Sequence, residues 1–239
     1  SLSGVGTSST QTNDYTYGLK QINVPELREK FAVSGDGVKV AILDTGVNPD
    51  HAAITLSGDQ SNNYEGGWAV FNAKTMPPWS TYDTEGSGAP TPYDSDGHGT
   101  HVSGTATGDK QSTQYGVAPQ AELMHANVFN DNGGAPYDSV IAGIEWAYLN
   151  DADVISMSLG GPSDSSLIDP IATARSNDAI VIAASGNDGA GTINAPADIN
   201  QAISVGASDR YRNIVSFSSG KQFDPTDRYG SDASSWESP

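Results

Sequence analysis

Two short segments bring together the residue types needed for proton transfer. Asp44-Thr45-Gly46 offers a carboxylate, and Asp96-Gly97-His98-Gly99-Thr100-His101-Val102-Ser103-Gly104 offers an imidazole set among small residues. A histidine oriented by a nearby acid is the pairing of a general base with the carboxylate that fixes its tautomer. The two glycines flanking His98 allow close approach by other backbone, and the small residues after it suit a tightly packed helix. Each feature alone has a bland reading. Asp-Thr-Gly also occurs in aspartic proteases and phosphate-binding loops, and a lone histidine is more often structural. His98 and His101, three residues apart, could hold a metal, but no third ligand lies at helical spacing. His51 and His125 read as structural.

The elements that must position these residues follow from hydrophobic patterning. Val38–Leu43 is a β-branched run that reads as a parallel strand buried on both faces. Leu123–Phe129, Asp153–Leu159, Ala179–Ala184 and Ile203–Ala207 read as further strands. Helices are expected at Val24–Phe31, with Pro25 in its first turn, at Ser139–Asn150 and at Leu167–Asn177. In the second of these, Val140, Ile144, Ala147 and Tyr148 share one face. Strand–helix alternation at this pitch predicts an α/β domain: a doubly wound, mainly parallel sheet with helices on both faces. Residues 1–16 read as an extended N-terminal arm and 17–239 as the domain proper. The polar stretch from about Ser57 to Ser95 reads as a surface insertion with short strands of its own around Trp68–Phe71. In such a sheet, ligands sit beyond the carboxyl ends of the strands. Asp44-Thr45-Gly46, Gly160-Gly161-Pro162 and Ser185-Gly186-Asn187-Asp188-Gly189 all fall there and converge on one rim.

Composition narrows the function classes. The 239 residues carry 29 Asp+Glu against 11 Lys+Arg, a formal net charge of −18. Such a charge repels phosphate backbones and anionic headgroups, so neither nucleic acid nor a membrane surface is an expected partner. No apolar run approaches the roughly 20 residues that span a bilayer. With 0 Cys, disulfides and thiolate chemistry are excluded. Of the acids 22 are Asp and 7 Glu, an imbalance that points to adaptation to high salt, where mobile ions screen carboxylate repulsion. Neither an initiator Met nor a signal peptide opens the sequence, so Ser1 is read as a processed terminus or a boundary.

Taken in order, Asp44-Thr45-Gly46, His98-Gly99-Thr100-His101-Val102, Ser156-Met157-Ser158-Leu159-Gly160-Gly161-Pro162 and Ala183-Ala184-Ser185-Gly186-Asn187 resemble the subtilisin-like serine peptidases, the subtilases. The resemblance covers about Tyr17 to Ser218. Tyr115-Gly116-Val117-Ala118-Pro119 and Gly143-Ile144-Glu145-Trp146-Ala147 extend it. It implies an endopeptidase with Asp44 and His98 catalytic, Asn187 in the oxyanion hole, and Ser158, Leu159 and Gly160 binding the substrate backbone. Residues around Gly133 would form the opposite substrate edge, with broad cleavage preference. It further implies polypeptide substrates, a prosegment or peptide inhibitor as partner, a monomer and secretion, while the acidic composition is what points to a halophilic, haloarchaeal-type source. A nucleotide- or phosphate-binding enzyme is the rival outside the family. Neither a Walker A sequence nor Gly-x-Gly-x-x-Gly follows the first strand to support it.

The resemblance breaks at the nucleophile. The family order is Asp, His, Ser, yet the chain ends 52 residues after Asn187 with no Gly-Thr-Ser-Met-Ala-like segment. Gly6-Thr7-Ser8, in the polar arm, is a decoy. A truncated chain, a piece of a longer protein, or an inactive peptide-binding relative would each account for this. Retention of Asp44, His98 and Asn187 favours the first two, so the domain is expected to be incomplete at its C-terminus. Catalysis needs no cofactor, while calcium is a candidate structural ion. The family's usual site is doubtful, because its carboxylate position falls near Ala53 and Asp109–Tyr115 is short. Asp83, Glu85, Asp94 and Asp96 could form another.

Overall fold

A computed structural model describes residues 14–62, 64–71, 91–109, 113–222 and 229. In chain order the elements are β1 (Asp14–Tyr15), α1 (Tyr17–Gln21), α2 (Val24–Phe31), β2 (Lys39–Asp44), β3 (Trp68–Val70), α3 (His98–Thr107), β4 (Thr113–Gln114), β5 (Glu122–Asn127), α4 (Tyr137–Leu149), β6 (Val154–Met157), α5 (Ile168–Ser176), β7 (Ile180–Ala184) and β8 (Ile203–Val205). Six strands form one sheet in the order β3-β5-β2-β6-β7-β8, every neighbouring pair parallel. All six carboxyl ends therefore lie on one rim, as expected for a doubly wound α/β domain.

Alternation along each strand divides the core in two. Ala41, Leu43, Met124, Ala126, Ile155, Met157, Val181 and Ala183 pack on one side against α4 and α5. Val40, Ile42, Leu123 and Trp68 pack on the other, where Val102 and Ala106 of α3 meet them. The central strand β2 is covered on both faces, which is why it reads as an unbroken apolar run. The α3 side of the sheet is covered only in part. On β6 and β7 the residues facing it, Ser156, Ile182 and Ala184, stay half-exposed, while their alternates are buried. At the edge, Ile203 and Val205 of β8 are 53% and 48% exposed.

Several boundaries differ from those expected, each for a local reason. Helix α4 starts at Tyr137, directly after Pro136, whose φ of −58° suits a helix entry. Strand β6 ends at Met157, because Ser158–Gly161 peel away to bridge Ala195. Strand β3 does not belong to a separate insertion. It adds to the main sheet in parallel register with β5, Trp68 opposite His125. The last residues of the expected arm are ordered too, Asp14 and Tyr15 pairing with Thr113 and Gln114. Ser8 and the other residues of the arm up to residue 13 lie outside the described residues.

Candidate active site

Asp44 is the last residue of β2, opposite Asn127 of β5, and is fully buried. Its Oδ1 accepts from the Thr45 amide (2.7 Å) and lies 2.7 Å from Nδ1 of His98. A carboxylate only accepts, so the proton of this bond belongs to Nδ1, and the lone pair of His98 is left on Nε2. Among the described residues the other carboxyl oxygen, Oδ2, is buried without a hydrogen-bond partner. Burial accordingly pushes the Asp44 carboxyl above its ordinary value, opposed by the bond to His98, the Thr45 amide and the charge attraction of the imidazole.

His98 opens α3 and its side chain is 44% exposed. It lies where two clefts meet. One, of about 510 Å³, runs between residues 93–96 and the 127–133 segment and includes Gly133 and Ser158. The other, of about 460 Å³, is lined by Val102, Met157, Ser158, Ile182, Val205 and Asn187. His98 and Ser158 line both, so the base sits between a polar trough and a mainly apolar one. Gly97 and Gly99 serve different needs. Gly97, at φ +95°, has open space around it and supplies only the backbone conformation. A Cβ on Gly99 would fall 2.1 Å from the Gly46 carbonyl oxygen, so Gly99 alone permits the helix to approach the turn after β2.

Asn187 is exposed on the turn after β7. That turn is held rather than loose. Ser185 Oγ–H donates to the Ser219 carbonyl (2.7 Å), Asp188 N–H to Ser219 Oγ (3.0 Å), and Asn194 Nδ2–H to Asp188 Oδ2 (2.9 Å). Asn194 and Ser219 are supporting residues that sequence reasoning did not single out; no local pattern announces partners so distant along the chain. Ser158, Leu159 and Gly160 follow β6, and Gly160 and Leu159 share a further cleft with Gly133 and Gly134. Gly133 stands at φ +75° in a tight turn closed by Asn130 N–H to the Gly134 carbonyl. The structure thus brings Asp44 and His98 into contact and sets Ser158, Asn187 and Gly133 along the clefts beside them. Among the described residues no serine hydroxyl bonds to the His98 ring.

The remaining candidates separate. His125 is fully buried beneath α3 with Nδ1 3.0 Å from Ser103 Oγ, and burial pushes it down to about 3 despite the nearby Asp94. It is a neutral core residue. His101 is exposed beside the apolar cleft, and His51 accepts from the Ala53 amide through Nδ1. Of the acids considered for calcium, Asp83 and Glu85 lie outside the described residues. Asp94 has both carboxyl oxygens occupied by hydrogen-bond donors, so it does not fit a cation site. Among the described residues no group of three or more His, Asp or Glu side chains could hold a metal. No helix among them is long and apolar enough to cross a membrane.

Comparison with known proteins agrees with this arrangement. An alkaline protease of Alkalihalobacillus alcalophilus is 36% identical over 212 residues, covering 88% of this chain and 49% of the relative. Subtilisin Savinase of Lederbergia lenta is 37% identical over 204 residues, 84% of this chain and 66% of the relative. The major intracellular serine protease of Bacillus subtilis is 36% identical over 214 residues, 86% and 61% respectively. The chain thus spans from about half to two thirds of the length of these relatives. With residues 35–228 matching the model of the subtilase family, Peptidase_S8, and the parallel sheet carrying the paired Asp44 and His98 at its rim, the chain belongs to the subtilases.

Proposed function

We propose that this chain carries the acid–base half and the oxyanion donor of a subtilisin-type serine endopeptidase. The supporting observation is the 2.7 Å bond between Asp44 and His98 at the edge of clefts shared with Ser158 and Asn187. Nε2 of His98 takes the proton of a serine hydroxyl as the serine oxygen adds to the scissile carbonyl. Asp44 holds the imidazole in the required tautomer and stabilises the imidazolium. The Asn187 side-chain amide donates to the oxyanion of the tetrahedral intermediate. His98 then returns the proton to the leaving amine, and water repeats the cycle on the acyl-enzyme. The substrate, a polypeptide, lies extended between Ser158-Leu159-Gly160 and the edge near Gly133.

The nucleophilic serine in this reading follows Pro239, in a segment that covers the open α3 side of β6, β7 and β8. The half-exposed Ile182 and the exposed Val205, which line the cleft with His98 and Asn187, and the exposed Ile203 are the surface such a segment would bury. Residues 17–239 are then the larger part of a peptidase domain. Secretion, a monomeric state, a prosegment or peptide inhibitor as partner, and a high-salt source belong to the same reading. So does a structural calcium, and a fall in melting temperature on chelation supports it, whereas no change removes it.

The test is to read the coding sequence beyond Pro239 and treat the full-length protein with a fluorophosphonate probe. Labelling of a serine beyond Pro239, lost on His98→Ala, is the expected result. A folded full-length protein that resists the probe refutes the peptidase reading and leaves a peptide-binding relative.

A further inference from the structure

Helix α3 has no capping side chain of its own, since Gly97 stands at its N-cap. Its first three amides are nevertheless all satisfied, each by a side chain from outside the helix. His98 N–H donates to Asp96 Oδ1 (3.2 Å), Gly99 N–H to Thr45 Oγ1 (2.9 Å) and Thr100 N–H to Asp94 Oδ2 (2.8 Å). Of the three, Asp94 does the most. Its Oδ1 also accepts from the Thr45 hydroxyl (3.0 Å) and from the amides of Gly97 (2.9 Å) and Asp96 (3.2 Å). Its Oδ2 also accepts from the Thr100 hydroxyl (2.6 Å), which in turn accepts from the Asn48 amide (2.9 Å).

The partners of Asp94 lie next to both members of the proton-transfer pair. Thr45 follows Asp44 directly, and Gly97 precedes His98. One carboxylate therefore joins the turn after β2 to the first turn of α3, and Thr45 closes the loop by holding the Gly99 amide. Charge-assisted bonds of this kind are about twice as strong as neutral ones. A site held to within about 0.5 Å needs supports whose own positions are locked. From this we infer that Asp94 is a positioning residue: through Thr45 and Gly97 it sets the separation and angle at which His98 meets Asp44. It does not touch the reacting atoms.

This inference rests on reading His98 as the base, but its test reads the His98–Asp44 geometry directly and needs no nucleophile. Long-range ¹H–¹⁵N spectra of the histidine-labelled chain at alkaline pH report which ring nitrogen carries the proton, His98 being assigned by its loss in His98→Gln. The wild type is expected to hold the Nδ1–H form. Asp94→Asn places donor hydrogens where donors already converge, and Asp94→Glu keeps the charge but moves it. Both are expected to lose that form in favour of the Nε2–H tautomer, and Thr45→Val, which removes the shared hydroxyl, should do the same. Thr105→Gly weakens the exposed side of α3 without touching Asp94. It should lower the melting temperature yet keep the Nδ1–H form.

Retention of the Nδ1–H form in both Asp94 variants would show Asp94 to be a helix cap only, overturning the inference. Loss in Asp94→Asn with full retention in Asp94→Glu would assign the effect to charge rather than position, which also overturns it. Loss in Thr105→Gly would make the effect a general consequence of instability and would overturn it too. If the Asp94 variants fail to fold, Thr45→Val decides alone: loss supports the inference and retention refutes it.

Discussion

Two glycines of α3 should respond oppositely to the same substitution. In a helix, Gly→Ala ordinarily stabilises by about 0.8–1.0 kcal/mol, because glycine has more backbone freedom to lose on folding. At Gly104 a Cβ would meet the Tyr115 ring at 3.5 Å and Ile54 Cδ1 at 3.8 Å, ordinary contact distances. Gly104→Ala should therefore realise that gain, and at about 2–4 °C per kcal/mol for a domain of this size the melting temperature should rise by roughly 2–4 °C. At Gly99 the new Cβ would meet the Gly46 oxygen at 2.1 Å, the Gly46 nitrogen at 3.0 Å and the His125 ring at 3.0 Å. Two of these three atoms are backbone and the third belongs to a fully buried ring, so none yields cheaply. Relieving the shortest contact means moving the start of α3 by about 1 Å, an overpacking that costs about 3 kcal/mol, the upper end of the usual range. After the helix gain is subtracted, Gly99→Ala should lose about 2 kcal/mol, or roughly 4–8 °C. The same displacement acts on the His98–Asp44 bond, so the Nδ1–H tautomer of His98 should be lost in Gly99→Ala and kept in Gly104→Ala. Calorimetry on both variants, followed by the imidazole spectra, makes the comparison. A Gly99→Ala protein as stable as the wild type, with its His98–Asp44 bond intact, would refute the close-approach reasoning.

Three further outcomes follow from the charge, the buried histidine and the oxyanion donor. Between dilute buffer and molar NaCl the melting temperature should rise markedly, since a net charge of −18 repels itself least when screened; a flat or falling midpoint argues against salt adaptation. His125 titrates near 6.5 when unfolded and is pushed down to about 3 when folded. The unfolded chain therefore binds the extra proton across that interval, and the contribution of His125 is present above pH 6.5 and lost progressively towards pH 3. Asp44, raised by burial, acts with the opposite sign near its own range. Urea unfolding of wild type and His125→Gln across this interval should show the shallower acid loss in the variant, and equal slopes exclude the assignment. In the serine-bearing protein, Asn187→Ala should lower kcat by about 10²–10³ with little change in KM, the magnitude found for such a donor in subtilisin itself. A loss confined to KM would place Asn187 in substrate binding instead.

What the sequence made legible and what it concealed divide along a physical line. Apolar runs such as Val40–Leu43 mark parallel strands covered on both faces, and chain direction then puts Asp44, Ser158 and Asn187 at one rim. That inference needed only local patterns and one topological rule, and the parallel pairing of all six strands bears it out. Less visible were elements whose form depends on distant partners. Trp68–Val70 is too short to announce its sheet and joins β5 only through tertiary pairing. The five-residue α1 is shorter than any window in which helical periodicity shows. Asp94 looked like one acid in an acidic loop because three of its five donors are backbone amides, which carry no residue signature. The glycines around His98 make the same point most sharply. In sequence Gly97 and Gly99 are equivalent neighbours of a histidine. In the fold, one supplies a positive φ in open space and the other an absent side chain against the Gly46 carbonyl. The residue type is a local fact, but its reason lies in the strand turn that α3 is packed against. An active site of this kind is therefore readable in its reacting groups well before it is readable in what holds them.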